Sequence, residues 1–280
     1  MIKQIHKHLF LTLFAGLIFS AAPTDVAAQS PSETNSQEDA PWTLKMVFDQ
    51  ETVNDEFLSQ EEMILAELEQ KNTKARRELL AWLRHDYAIV LAEYYKTLKD
   101  EDDLEKALNY SQSATEIAPQ TVQFWKTFGL INLTAKIGMI SDIQAEGSFR
   151  RVLELYSKDT GARLMLISIF LKNNEYKEAA EHYAILFEQQ PEIIIASDLH
   201  KMNLTFISAD VAGWGIEIYD AYLKKYPDNG KVLVAKSILL KADGYDAQAS
   251  RLLGETISST KSTQQIKTTA RNLLTHWRAE

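Results

Sequence analysis

The sequence contains no cysteine, and that absence removes disulfides, thiolate metal sites, a cysteine nucleophile and a lipid-bearing cysteine together. Glycine and proline are scarce, ten and six in 280 residues. An all-β chain with many tight turns would need more of both, and no segment calls for a sheet. Beyond the first thirty residues no stretch is long and apolar enough to span a bilayer. Histidine is sparse as well: past the leader only His85, His182, His200 and His276 occur, widely separated, with no H-E-x-x-H and no i, i+4 pair. A metal site is therefore not expected. Neither a G-x-S-x-G elbow nor a phosphate-cradling glycine loop is present, so no cofactor is expected and catalysis has no visible footing.

Positive charge is also in deficit. The formal net charge is -9, and it becomes -10 if residues 1–28 are removed, because Lys3, Lys7 and Asp25 together carry +1. Acidity of this kind argues against nucleic acid and anionic lipid surfaces, which reward a basic patch. Paired acids such as Glu61 with Glu62 and the run Asp100 to Asp103 fall at a helix start and a helix-to-helix turn, where they read as caps that favour the positive end of a helix.

What is present begins with a leader. Lys3 and Lys7 precede an apolar stretch from Leu9 to Ala22, and Val26-Ala27-Ala28 suits a signal-peptidase site before Gln29. Residues 1–28 are thus expected to be an export signal. An uncleaved anchor is the alternative, but about fourteen apolar residues fall short of the roughly 20 that a spanning helix needs. The product is expected in a bacterial periplasm, or else secreted or tethered by an uncleaved signal, without stable membrane insertion after signal removal.

Residues 29–41 have no apolar side chain larger than Ala, too little to offset the entropy of ordering them, and are expected to form a flexible leader. From 42 to 87 the pattern implies a strap and a helical region. Trp42, Leu44, Met46 and Phe48 alternate with Thr43, Lys45 and Val47, and they can pack on the first helices or occupy a groove. Ser59 with Glu62 forms a capping box. After a basic interval, which acids flank and which reads as a solvated face, Leu79, Leu80, Leu83, Tyr87 and Val90 resume helical spacing.

The stretch Thr160 to Ile193 organises the rest. Leu166 and Phe170, then Ala179 and Tyr183, then Pro191 fall on a two-helix pattern that resembles the tetratricopeptide repeat (TPR) of exported bacterial proteins. Small residues recur at Ala107, Ala145, Ala179, Gly215 and Ala249, with Phe149, Tyr183, Tyr219 and Leu253 four residues after the last four and Ser111 after the first. Pro119, Pro191 and Pro227 close units, while Ser157 and Lys261 take that place elsewhere. Trp125, Phe128 and Gly129 match the W-x2-L-G element, and Leu199, Met202, Asn203 and Phe206 follow it less closely. About five units result: 88–121, 122–159, 160–193, 196–229 and 230–261, within 88–261. The second has extra residues around Lys136 to Ser141, and two more precede the fourth at Glu192 to Ile195. Ile266, Ala270, Leu273, Leu274 and Trp277 then form one apolar stripe, expected to be a capping helix within 262–280.

The resemblance implies an all-α, right-handed superhelical solenoid of TPR-like helix pairs, with an N-terminal helical region and a C-terminal capping helix. It also implies a non-catalytic adaptor or scaffold whose first helices line a partner groove. In this register those positions are Lys126, Leu130 and Leu133, then Met165, Ser168 and Leu171, then His200, Leu204 and Ile207, then Ile238, with Thr127, Leu164, Lys201 and Val234 beside them. Family members that clamp a C-terminal carboxylate use Lys and Asn at set places, and only Lys126 matches such a place. The expected partner is a protein or peptide of the cell envelope. Two alternatives stay open: a structural subunit whose groove is filled by its own N-terminal segment or C-terminal helix, and more distantly an enzyme accessory domain. Oligomeric state is left open by the sequence.

Overall fold

The computed structural model describes residues 74–135 and 138–279, with Met63 and Ala66 as isolated helical positions. The export signal, the leader, the Trp42 to Phe48 run and the Ser59/Glu62 box lie outside the described residues. Among the described residues all regular structure is helical and no strand occurs. The chain divides into two compact units, one ending at Tyr87 and the other running Ala88–Glu280.

The first helix, α1 (Lys74–Leu98), begins in the first unit. There Leu80, Ala81, Leu83 and Tyr87 are buried, His85 Nδ1 lies 2.7 Å from Asp86 Oδ1, and the Trp82 ring meets His85 edge-on.

In the second unit α1 ends and α2 (Glu101–Ile117), α3 (Val122–Ala135), α4 (Gly138–Leu155), α5 (Thr160–Lys172), α6 (Tyr176–Gln189), α7 (Leu199–Ser208), α8 (Ala212–Lys225), α9 (Gly230–Ala242), α10 (Asp246–Ser258) and α11 (Gln264–Ala279) follow. Packing runs between neighbours in sequence: α2 on α3, α3 on α4, and onward to α10 on α11, with α6 touching both α7 and α8 and α7 touching α9. Such a chain of near-neighbour contacts is the signature of a repeat array.

The turns repeat as faithfully as the helices. Within three successive pairs the first helix ends on a left-handed residue, Asn174 (φ 62°), Asp210 (φ 57°) and Gly244 (φ 82°). The next amide in each case bonds back across the turn, Glu175 N to Phe170 O, Val211 N to Phe206 O and Tyr245 N to Leu240 O, all within 2.9 Å. This is the glycine-type helix stop, in which Asn and Asp tolerate positive φ because their short polar side chains bond locally. Between pairs another turn recurs: the amides of Ala118, Tyr156, Gln190 and Tyr226 each bond to the carbonyl four residues back, while their own carbonyls accept from Thr121, Asp159, Ile193 and Asn229 respectively. Asp159 and Asn229 then cap the next helices, their side chains accepting from Ala162 N at 2.9 Å and Val232 N at 3.3 Å. Asp100 does the same for α2, accepting from Asp102 N at 3.0 Å, in agreement with the capping role expected of that acidic turn.

The two residues inserted before α7 do not enlarge a turn, as the general tolerance of turns to insertion suggests. Pro191 instead starts a helical turn, Pro191–Ile193, which passes through a π-helical segment, Ile194–Asp198, straight into α7. A π-helical bulge absorbs surplus residues inside a helix without breaking it. Ile194 and Ile195 gain by this, since both are buried in the core between α6 and α8.

Candidate functional site

Each helix pair closes around a residue too small to keep its partner away. Ala107, Ala145, Ala179 and Ala249 are fully buried. At Gly215 even a methyl group is excluded: a Cβ there would collide with Leu239 Cδ1 and lie 3.0 Å from Phe206 Cδ2. A Cβ on Gly129 would come within 2.9 Å of Phe149 Cζ, so the glycine of one helix receives the aromatic ring of its pair. Ser111, which stands in the first pair where later pairs have Phe149, Tyr183, Tyr219 and Leu253, is buried and turns its hydroxyl to Leu108 O at 3.0 Å.

The chain is an array of stacked helix pairs. No protein-family profile matches the sequence, and no curated protein matches it. Among solved structures the array is similar to the MamA protein, at 14% identity and TM-score 0.41 over 62% of this chain and 90% of that chain. It is likewise similar to YrrB, described as a TPR protein with an unusual peptide-binding site, at 14% identity and TM-score 0.39 over 66% and 92%. A tetratricopeptide repeat protein from Parabacteroides merdae is 15% identical with a TM-score of 0.31 over 78% of each chain. At those scores the likeness adds nothing to the architecture already evident from the helix packing.

The expected groove residues of this array fall into four groups. Leu130, Leu133, Met165 and Leu171 are half-buried and packed on one core cluster with Ala145, Phe149, Leu166 and Phe170, so side chains of α3 and α5 serve the same core. Ser168, His200, Leu204 and Ile207 are exposed, Leu204 at 49% and Ile207 at 36%. Ile238 belongs elsewhere: with Val234 and Leu253 it packs against Ala270, Leu273, Leu274 and Trp277 of α11. The first correction follows, because the fifth pair's share of the expected face is covered by the capping helix. Lys126 supplies the second. Its Nζ lies 2.5 Å from Asp159 Oδ2, so the one lysine at a carboxylate-clamp position is committed to the buried acid that caps α5.

Residues the sequence did not single out complete the picture. Arg163 stands in the third pair where Trp125 stands in the second, and it is 5% exposed. One terminal nitrogen donates to Ser157 O at 2.7 Å and the other lies 3.3 Å from His182 Nδ1, while Nε has no partner. Burial lowers the guanidinium's affinity for its proton. The His182 ring stacks on Phe170, and Arg150 lies over the same phenyl ring. Burial first, then the charges of Arg163 and Arg150, push the His182 pKa down to about 4. A second buried network runs from Tyr219 Oη, which donates to Asn203 Oδ1 at 2.6 Å, through Asn203 Nδ2 to Ala235 O at 2.8 Å. Burial raises the Tyr219 phenol pKa. The first network joins α4, α5 and α6, and the second ties α7 to α8 and α9.

Proposed function

We propose that the chain is a non-catalytic adaptor or scaffold of the cell envelope, which holds a partner's amphipathic helix or extended segment against the first helices of its array. One observation carries this reading: Leu204 and Ile207, three residues apart on one side of α7, stand exposed over a fully buried core of Met202 and Phe206. Covering an exposed Leu or Ile contributes about 1.5–3 kcal/mol for each side chain fully buried. Residues at i and i+3 are the spacing by which a helical surface anchors another helix. Ser168, His200 and Lys201 supply polar neighbours at the rim, with Lys201 tied to Asp198 at 3.0 Å. The leader-like character of residues 1–28 supports the envelope location.

The test is capture from an envelope fraction with the purified chain, comparing wild type with Leu204→Glu and Ile207→Glu. Both side chains are exposed, so the variants should keep their helical circular dichroism and melting temperature while losing the captured protein. Undiminished capture by folded variants would reject the face. One observation favours a structural subunit that fills its own first-helix face, namely the cover that α11 places over Val234 and Ile238. Deleting residues 29–50 tests the N-terminal segment as the filler, since a face filled by it should lose thermal stability and an open one should not.

A further inference from the structure

Charge is distributed unevenly along the array. From Ala88 to Asn229 the sequence has 14 Lys and Arg against 21 Asp and Glu, whereas from Gly230 to Ala279 it has 8 against 3. The imbalance is concentrated in α11, which has no acidic residue at all. Four of the five cations between Gly230 and Lys261 are already paired, Lys236 with Asp220, Lys241 with Asp246, Arg251 with Glu255 and Lys261 with Asp228. Lys267, Arg271 and Arg278 of α11 have no side-chain partner among the described residues.

These three cations are not scattered. At i, i+4 and i+11 they share one stripe along the edge of the helix's buried side, with Leu274 at i+7 between them. Near the other end of the unit, α2 carries a stripe of the same spacing and opposite sign. Glu101, Glu105, Leu108 and Gln112 occupy i, i+4, i+7 and i+11, and Glu116 extends it by one turn. Glu101, Glu105, Gln112 and Glu116 are exposed, and Leu108 is half-buried like Leu274. Neither Glu101 nor Glu105 has a side-chain partner among the described residues. Of the cations just before α2, Lys96 pairs with Glu93 at 2.6 Å and Lys99 lies over the Tyr95 ring. Helix-dipole stabilisation accounts for Glu101 in the first turn but not for Glu105 or Glu116.

We propose that α11 of one copy docks on α2 of a second copy of this chain. In parallel register Glu101 meets Lys267, Glu105 meets Arg271, Leu108 meets Leu274 and Gln112 meets Arg278. The two stripes lie on different helices of one chain, so the contact is between unlike patches. Two copies can exchange it reciprocally in a closed dimer, or successive copies can repeat it head to tail. The contact rests on charges that are exposed or, at Lys267, half-buried, and each such surface pair contributes little alone. Association is therefore weak, reversible and strongly dependent on salt.

Sedimentation velocity of the purified chain over a concentration series tests this at about 0.01 M and about 1 M salt, between which the screening length falls from roughly 30 Å to about 3 Å. Self-association at low salt, weakened by roughly tenfold or more at high salt, is the expected result for a few exposed pairs. Two variants then decide the site: Lys267→Glu with Arg271→Glu, and Glu101→Lys with Glu105→Lys. Each should be monomeric alone with unchanged circular dichroism. Mixed together they should associate, because the reversed α11 of one now faces the reversed α2 of the other. A wild-type chain that stays monomeric at low salt would overturn the proposal. So would association indifferent to charge reversal, or a mixture of the two variants that remains monomeric. The outcome is independent of partner capture by the α7 face, because none of the substituted residues lies on that face.

Discussion

Arg163 replaces the aromatic residue that the second pair carries at Trp125, and the replacement has a measurable consequence at His182. With its pKa held at about 4 instead of the ordinary 6.5, the folded ring refuses a proton that the unfolded chain accepts. The ring's contribution to stability is complete above about pH 6.5 and is lost as pH falls from there towards about 4. Titration of the His182 ring by NMR should therefore show a midpoint well below the ordinary 6.5, and His182→Gln should flatten the decline of unfolding free energy over that window. A His182 midpoint at the ordinary 6.5 would contradict the burial beside Arg163. Tyr219→Phe is a cleaner loss. It leaves Asn203 Oδ1 buried without its donor, which costs about 1–3 kcal/mol in chemical denaturation. The Arg163 network was not legible in the sequence, because an Arg at a Trp position looks like a surface residue until the neighbouring pair is placed over it; Asn203 and Tyr219 were legible as repeat positions, but not the hydrogen bond that joins them.

At the scale of the helix, the small residues were the most legible feature. Ala145, Ala179 and Ala249 stand where the paired helices approach most closely, and the spacing alone located them. Gly215→Ala should destabilise the fourth pair by about 1–3 kcal/mol, since the added methyl meets Leu239. Asp159→Ala removes both the cap of α5 and the partner of Lys126, and a loss of about 0.5–2 kcal/mol from the cap is expected in the same assay. The π-helical lead into α7 was illegible for a physical reason. A π-helical segment keeps every residue helical, so two surplus positions shift the register without leaving a polar or glycine-rich mark. The turn residues Asn174, Asp210 and Gly244 did leave a mark, being the three types that adopt positive φ most readily.

On the scale of the molecule, periodicity made the architecture readable because each pair buries its apolar side only against the next. The same periodicity does not separate a partner face from the contacts between pairs. Leu130, Leu133, Met165 and Leu171 were expected to line a groove, but their side chains also serve the contact between neighbouring pairs, and a repeat spacing does not separate those two uses. What stays exposed is concentrated on α7, at the one first helix whose entry is lengthened by the inserted π-helical segment. The most direct measurement of that face is site-specific photo-crosslinking in intact cells, with the probe placed in turn at Ser168, His200, Leu204 and Ile207 and, for comparison, at Ile185, Trp214 and Tyr245, which are equally exposed on other helices and turns. Adducts to one envelope protein from the first set and none from the second are expected; adducts from the second set alone would contradict an adaptor that works through its first helices.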